Sequence, residues 1–565
     1  MCATLALAAP ALLAFNLSPS ATFLNQAVAL VGWGGFMVAV TAWLPARSWH
    51  PPTGLIALLV ALASLLAAAL AAPLWAALPW SLGLSSVGMI LAALLVVLMS
   101  AAAQANGFGA AAFRAFCIGL VIAGILSSAI GIVQVFAPDW PDGDWIARTY
   151  IPGGAVGNMR QPNHLSSLLV WSIVAAAWLI ERGTLQRWVG NALVLLFVFV
   201  IVLSGSRTGT LSVGLLAVWG LADRRLSRGT RALLLLAPIA YGIFWFGTTA
   251  WADYGHHVVR AESRFSTKGD ISSSRGKIWS NTLELIRMHP WTGVGFGEFN
   301  FAWTLTPFPD RPVAFFDHTH NILLEFAVEL GLPLAGLVTL LMSYALYCAW
   351  RNAARDPPRR AALVMVLMIL LHSLLEYPLW YAYFLLPAAF AFGICLGPSD
   401  DQRVAVASST RPGTRPLLIA SMLLMLGGVA SVADYRSAVV IYAPPEDAPP
   451  LAQRILDGQH SVLFAHQADY AAATTATHPS DAMDAFRRAP HNLLDARLMI
   501  AWAKALAESG DVERARYVAQ RLKEFRNDQA ADFFAPCNTP PPRHGAVLPF
   551  QCEPTSRTFT YADFR

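Results

Sequence analysis

The sequence predicts an all-α, polytopic integral membrane protein with about thirteen transmembrane helices, a large outer loop and a small helical C-terminal domain. Of 565 residues, 56% are hydrophobic and 13% charged, whereas soluble proteins are about half apolar and about a quarter charged. Mean hydropathy is +0.51. Between Arg47 and Arg114 there is no Asp, Glu, Lys or Arg, which leaves room for two or three spans of about 20 residues. Arginines also cluster in the short connections between apolar runs, as the positive-inside rule requires.

Apolar runs bounded by polar or Pro/Gly breaks place the spans near 2–16, 22–44, 53–73, 82–103, 113–137, 164–180, 189–204, 208–222, 232–249, 320–348, 361–376, 379–397 and 416–433. The first run has no basic residues ahead of it, so it reads as a span and not as a cleaved signal. Connections bearing Arg182/Arg187, Arg224/Arg225/Arg228/Arg231, Arg351/Arg355/Arg359/Arg360 and Arg403/Arg411/Arg415 all fall on one side, which makes that side cytoplasmic. The opposite face then receives 138–163, the turn at 204–209, the loop 250–317, the turn at 376–378 and everything after residue 434. By organisation the chain divides into N-terminal helices (1–156), a core (157–400) with its loop at 250–319, a last span (401–434) and a polar helical region (435–565).

Within that last region, 492–508 and 512–525 are amphipathic runs joined at Ser509-Gly510-Asp511, where Gly stops one helix and Asp caps the next. They resemble one helical hairpin of the tetratricopeptide kind, or equally a helical pair packed on the membrane domain. Cys117, Cys348 and Cys395 sit in apolar runs as small hydrophobes. Cys537 and Cys552 lie in the polar region without metal-binding spacing, and an oxidising outer compartment would allow a disulfide between them. The net charge of +5 is spread over loops, so no nucleic-acid footprint is present.

Asp317-His318-Thr319-His320-Asn321 opens a predicted membrane helix. One Asp would serve as a cap, so two imidazoles and an amide beside it need another explanation. Ionisable groups at the edge of an apolar span mark substrate paths or catalytic sites. A neutral imidazole suits activation of a weak hydroxyl nucleophile. His-x-His with Glu325 or Glu329 could also supply metal ligands, but the H-E-x-x-H spacing and a Cys/His set are missing, and no metal or other cofactor is expected.

The basic residues point to an anionic substrate. Arg207, in Ser204-Gly205-Ser206-Arg207-Thr208-Gly209, is either an interfacial anchor or a phosphate clamp aided by Ser206, Thr208 and the turn's N–H groups. Ser272-Ser273-Ser274-Arg275-Gly276-Lys277 repeats that Ser-rich, cationic turn in the outer loop. In Gln161-Pro162-Asn163-His164, Pro162 and Asn163 are helix-start chemistry, while Gln161 is free to meet sugar hydroxyls or phosphate oxygens. His372 and Glu376 lie four apart on one predicted helix, ahead of Tyr377-Pro378-Leu379-Trp380-Tyr381, which serves an interfacial belt or a glycan groove.

Taken together, these segments resemble the O-antigen ligase/O-oligosaccharyltransferase superfamily of bacterial inner-membrane glycosyltransferases. Gly157-Asn158-Met159-Arg160-Gln161-Pro162-Asn163-His164 is similar to its G-N-x-x-Q-P-N-H segment and Ser206-Arg207-Thr208-Gly209 to its S-R-T-G turn. Arg275 with Trp279 resembles its R-x-x-x-W segment, and His318-Thr319-His320-Asn321 its H-x-H-N segment. The run from His372 to Tyr381 is similar to a signature of the PglL-type protein glycosylation ligases.

The resemblance implies a metal-independent transfer of a preassembled oligosaccharide from undecaprenyl pyrophosphate to Ser or Thr hydroxyls of periplasmic or pilin-like proteins. The large loop and the C-terminal region would then be periplasmic. Arg207 and Arg275, with Lys277 and Ser206, would hold the pyrophosphate. His320 would be the base, with His318 or Glu376 orienting it. Gln161, Asn163, His164, Asn321 and Tyr377 would position substrate. The sister activities, ligation to lipid A-core and repeat-unit polymerisation, share most of these motifs. A transporter of lipid-linked glycan would place ionisable residues mid-span, whereas here they gather at one end.

Overall fold

The structure is a computed structural model of the chain, and it describes residues 1–44, 49–255, 257–259, 272–354, 356–398, 415–538 and 548–565. Arg355, Arg403 and Arg411 of the connections expected to be cytoplasmic lie outside the described residues. Among the described residues all regular secondary structure is helical.

The helices begin with α1 (Cys2–Leu12), α2 (Phe23–Thr41), α3 (Thr53–Trp75), α4 (Trp80–Ala105) and α5 (Gly109–Phe136). Next come α6 (Pro162–Glu181), α7 (Arg187–Ser204), α8 (Arg207–Ala222) and α9 (Arg228–Gly255). The outer loop contributes α10 (Ser272–Met288) and α11 (Phe299–Leu305), followed by α12 (Ile322–Ala353), α13 (Pro357–Ser373), α14 (Ala382–Leu396) and α15 (Arg415–Tyr442). All thirteen expected apolar runs are helical, but among the described residues nine helices are long and apolar enough to cross a bilayer. The exact count of thirteen is not confirmed, because α1, α8, α13 and α14 have only 11, 16, 17 and 15 residues. At 1.5 Å per residue these fall short of a hydrocarbon core about 30 Å thick.

The chain forms two compact units. The first comprises Met1–Leu62, Met89–Gly269 and Leu340–Val432, and α6 is its buried centre. Small residues let neighbours approach α6. A Cβ on Gly124 would lie 2.5 Å from Ser172 Oγ, and one on Gly209 would lie 2.8 Å from Ser166 Cβ. Trp171 Nε1 donates to the Met365 carbonyl at 2.9 Å, which fixes α6 against α13.

The second unit comprises Ala63–Gly88, Asp270–Thr339 and Ala433–Arg565. Its later helices are α16 (Leu451–Gly458), α17 (Ala465–Thr475), α18 (Met483–Phe486), α19 (Ala496–Glu508), α20 (Val512–Glu524) and α21 (Ala531–Phe534). The Ser509-Gly510-Asp511 junction behaves as expected: Gly510 has φ +85° and the Asp511 side chain caps α20 by accepting from Arg514 N. Cys537 and Cys552 form a disulfide.

One apolar core joins the outer loop to the C-terminal region, with Phe301, Trp303 and Phe316 packed among Phe486, Trp502, Tyr517 and Phe525. Polar ties reinforce it. His491 Nδ1 lies 2.8 Å from Glu298 Oε1, both fully buried. The Tyr517 hydroxyl donates to the Leu305 carbonyl at 2.7 Å. The Arg311 guanidinium is buried over the rings of Trp303 and Phe525, at 4.9 and 4.5 Å, and is paired with Glu524 at 3.3 Å. Burial pushes it down to about 10, against the opposing pull of Glu524.

The same unit contains a backbone device at residues 290–297. Helix α12 is interrupted at Gly331, whose φ of +74° and ψ of 161° are not helical. The gap lets Val294 N donate to the Val328 carbonyl, Gly295 N to Glu329 and Leu332 N to Pro290, at 2.8, 3.0 and 2.8 Å. A Cβ at Gly331 would meet the Trp291 carbonyl oxygen at 2.3 Å. Gly331→Ala therefore combines a Gly-only backbone region with overpacking against rigid backbone, and should cost roughly 2–5 kcal/mol. Thermal unfolding of the purified variant checks this; an unchanged transition would refute the docking role.

Candidate functional site

The motif residues fall into two clusters, one in each unit. In the first unit, the loop ahead of α6 is held by two buried amides. Gln134 accepts from Val156 N and Gly157 N at 3.0 and 2.8 Å and donates to the Ala147 carbonyl at 2.8 Å. Asn158 accepts from Ala147 N at 2.9 Å and donates to the Trp145 carbonyl at 2.9 Å. Arg160, at φ +58°, donates to the Ala14 carbonyl at 2.8 Å. Pro162 then starts α6 and delivers Asn163.

Asn163 joins three separate motifs. Its Oδ1 accepts from Ser206 Oγ at 2.6 Å, and its Nδ2 donates to Glu376 Oε1 at 3.2 Å. Ser206 Oγ also accepts from Gly209 N at 2.9 Å, as the N-cap of α8, and lies 2.9 Å from Ser166 Oγ. Its proton and at least one lone pair are thus engaged inside the fold. Ser206, expected to bind phosphate, serves here as a cap and a tie. His164 is similarly buried, with Tyr383 Oη 3.1 Å from Nδ1 and the Tyr381 ring 4.6 Å away. Ser167 Oγ lies 2.8 Å from Nδ1 of His372, itself fully buried. Ser206, His164 and His372 are buried in the wall of the cluster.

Other groups in this cluster are better placed for ligands. Gly205, at φ +60°, ends α7 so sharply that α8 begins two residues later. Arg207 is therefore exposed at the first position of α8, beside the N–H groups and positive dipole end that favour anions at a helix start. Gln161 Oε1 is buried and has no hydrogen-bond partner among the described residues. An acceptor in that state calls for a donor such as a sugar hydroxyl. Tyr377 is half-buried, its ring stacked 6.2 Å from that of Tyr381.

In the second unit, residues 272–277 are not a turn but the first turns of α10. Trp279 lies four residues, one helical turn, beyond Arg275. Its Nε1 donates to the Thr319 carbonyl at 3.0 Å, so the R-x-x-x-W segment braces the H-T-H-N segment. From the other side Glu325 Oε2 accepts from Thr319 N at 2.7 Å. Asn321 Oδ1 accepts from Leu323 N and Leu324 N at 3.1 and 3.2 Å, which makes it the cap of α12. Lys277 Nζ pairs with Asp310 at 2.7 Å on the surface, where such pairs contribute under about 1 kcal/mol.

The two imidazoles differ. His318 Nδ1 lies 3.5 Å from Glu325 and Nε2 3.9 Å from Asp317. Burial alone would lower its pKa, but Asp317, Glu325 and Glu329 outweigh that and raise it to about 9. These carboxylates thus favour the protonated form of His318, which suits an ion-pair role better than that of a base. His320 has φ +58°, a left-handed backbone uncommon outside glycine, and its Nδ1 lies 3.0 Å from the His318 carbonyl oxygen. That carbonyl can only accept, so Nδ1 carries the proton and the Nε2 of a neutral ring carries the lone pair. The His318 backbone carbonyl orients the His320 ring. Glu376 accepts from Asn163 Nδ2 in the first unit.

A pH test follows from His318. With its folded pKa near 9 and an unfolded value near 6.5, its stabilising contribution is complete below about pH 6.5. It declines as pH rises and is gone above about 9. Protease resistance of the outer loop should fall between pH 7 and 10 in the wild type, and less so in His318→Gln. Parallel profiles would refute the ion-pair account.

Sequence reasoning passed over Gln134, the Glu298–His491 pair and the glycine-rich 293–297 segment, and gave Asn158 no role. A lone Gln inside an apolar run and three alternating glycines were the available signals.

Several known proteins and families are similar to parts of the chain. Residues 192–339, which hold both the Arg207 turn and the His320 segment, match a family described as O-Antigen ligase. Residues 155–180 match one described as Protein glycosylation ligase. Residues 360–535 match one described as Virulence factor membrane-bound polymerase, C-terminal. A General O-oligosaccharyltransferase of Acinetobacter baylyi is 29% identical over 253 residues, covering 43% of this chain and 44% of the relative. A ComP-specific O-oligosaccharyltransferase of the same organism is 23% identical over 252 residues, with the same coverage. The chain thus spans less than half the length of these curated relatives. By motif and by match, the chain is thus similar over parts of its length to O-antigen ligases and protein glycosylation ligases.

Proposed function

We propose that the chain is an O-oligosaccharyltransferase of the bacterial inner membrane. It moves a preassembled glycan from undecaprenyl pyrophosphate to Ser or Thr hydroxyls of periplasmic, pilin-like proteins. The observation that carries this reading is the junction at Asn163, which ties the Q-P-N-H, S-R-T-G and H-S-L-L-E-Y segments into one cluster beside Arg207. The names of the matched relatives support the reaction class.

In the proposed reaction His320 Nε2 takes the hydroxyl proton as the oxygen attacks the anomeric carbon. The bond from that carbon to the pyrophosphate oxygen breaks, its electron pair leaves with undecaprenyl pyrophosphate, and the configuration inverts. Arg207 and Arg275 offset the charge gathering on the leaving group, where preorganised cations act most strongly. Gln161 and Tyr377 hold donor or glycan.

Ligation to lipid A-core is the second reading, favoured by the O-Antigen ligase match. The two separate in cells supplied with one lipid-linked oligosaccharide, a pilin-like acceptor and lipid A-core. Glycan on the protein supports the first reading, glycan on lipid A-core alone supports the second, and transfer to neither overturns both.

A further inference from the structure

The opposite, arginine-bearing end of the first unit contains a second polar cavity. It has a volume of about 120 Å³ and lies where the ends of α6 and α8 meet the start of α13. Trp178 and Trp219 line it, 5% and 8% exposed, and both indole N–H groups lack a partner among the described residues. Buried donors in that state call for an acceptor.

The charges around the cavity indicate which kind. Its two carboxylates are already engaged. Glu181 accepts from Ser227 N and Oγ at 3.1 and 2.6 Å and from the Thr230 hydroxyl. Asp223 pairs with Arg360 at 3.0 Å and accepts from Arg225 N at 3.1 Å. The cations are not balanced in the same way. The Arg225 guanidinium donates to the carbonyl of Ala354, a neutral acceptor, and Arg182 is exposed at the rim. Two unsatisfied donors with surplus positive charge fit a phosphate oxygen. A zwitterion's ammonium would find the acids already taken.

We propose that this cavity binds the phosphodiester head group of an anionic phospholipid in the cytoplasmic leaflet. The arginines mark the cytoplasmic side, and basic pockets between spans on that side suit anionic head groups. The Trp178 and Trp219 N–H groups would donate to the phosphate, with Arg182 and Arg225 supplying charge.

The test uses the full-length protein in detergent, with phosphatidylglycerol, phosphatidylcholine or inorganic phosphate added. Bound lipid is read by native mass spectrometry and stability by thermal unfolding. Phosphatidylglycerol should bind and stabilise more than phosphatidylcholine. The Trp178→Phe/Trp219→Phe variant keeps both rings and removes both donors, and it should bind phosphatidylglycerol about tenfold more weakly or worse. Arg182→Gln, at an exposed position that tests the site even where the double variant folds poorly, should weaken binding about fivefold. Unchanged affinity in Arg182→Gln or in a folded double variant overturns the proposal, as does equal binding of phosphatidylcholine. Stabilisation by inorganic phosphate without phosphatidylglycerol binding would assign the cavity to a free anion and overturn the lipid.

Discussion

His320→Asn should lower glycan transfer by about 10²–10⁴-fold, the usual contribution of a positioned general base, with little change in folding. Asparagine is the informative replacement because His320 sits at φ +58°. Asn tolerates that left-handed backbone while Ala pays strain for it, so the Asn variant removes the imidazole without disturbing the loop. His318→Gln isolates the partner imidazole. It should weaken the loop through the lost Glu325 and Asp317 contacts, yet keep far more activity at low temperature, since these carboxylates favour the protonated form of His318. The measurement is transfer to a fixed acceptor at matched expression. Equal losses in the two variants would mean that the base is not His320.

Arg207→Lys should cost about 10²-fold in kcat, the scale of losing one preorganised charge-stabilising donor set, although the positive charge remains. The guanidinium offers five donors in a planar fork that matches phosphate oxygens, whereas an ammonium is a flexible point charge. Stability should barely move because Arg207 is exposed at the start of α8. The thermal transition therefore serves as the control. Lys277→Ala provides the contrast: its ammonium is paired with Asp310 on the surface, and transfer should change by less than about threefold. Wild-type transfer by Arg207→Lys would reduce the residue to an interfacial anchor.

The fold class was legible because apolar length and charge spacing report directly on a bilayer, and every expected run is helical. The span count was less legible. Composition shows where a helix is apolar but not where caps and breaks end it, and α1, α8, α13 and α14 stop short. For the site, the sequence located the motif segments but not how their polar atoms are divided between architecture and ligand. Asn163, Ser206 and Asn321 looked like ligand groups, and each also makes hydrogen bonds within the fold. The Asn163 pairings depend on residues 43 and 213 positions away, which no local pattern encodes. The difference between His318 and His320 was hidden for the same reason, since it depends on where Glu325 folds back and on the direction of one carbonyl.

The core shared by the outer loop and the C-terminal region sets a timetable for biosynthesis. Glu298 must wait for His491, 193 residues later in the chain. At about 5–20 residues per second that interval is roughly 10–40 s. Throughout it Phe301, Trp303 and Phe316 have no partners from the C-terminal region to cover them. The nascent chain therefore passes through a stage in which the His320 segment has been translated but its supporting core is unfinished. A ribosome stalled before residue 491 would leave a membrane-inserted, protease-sensitive and inactive protein.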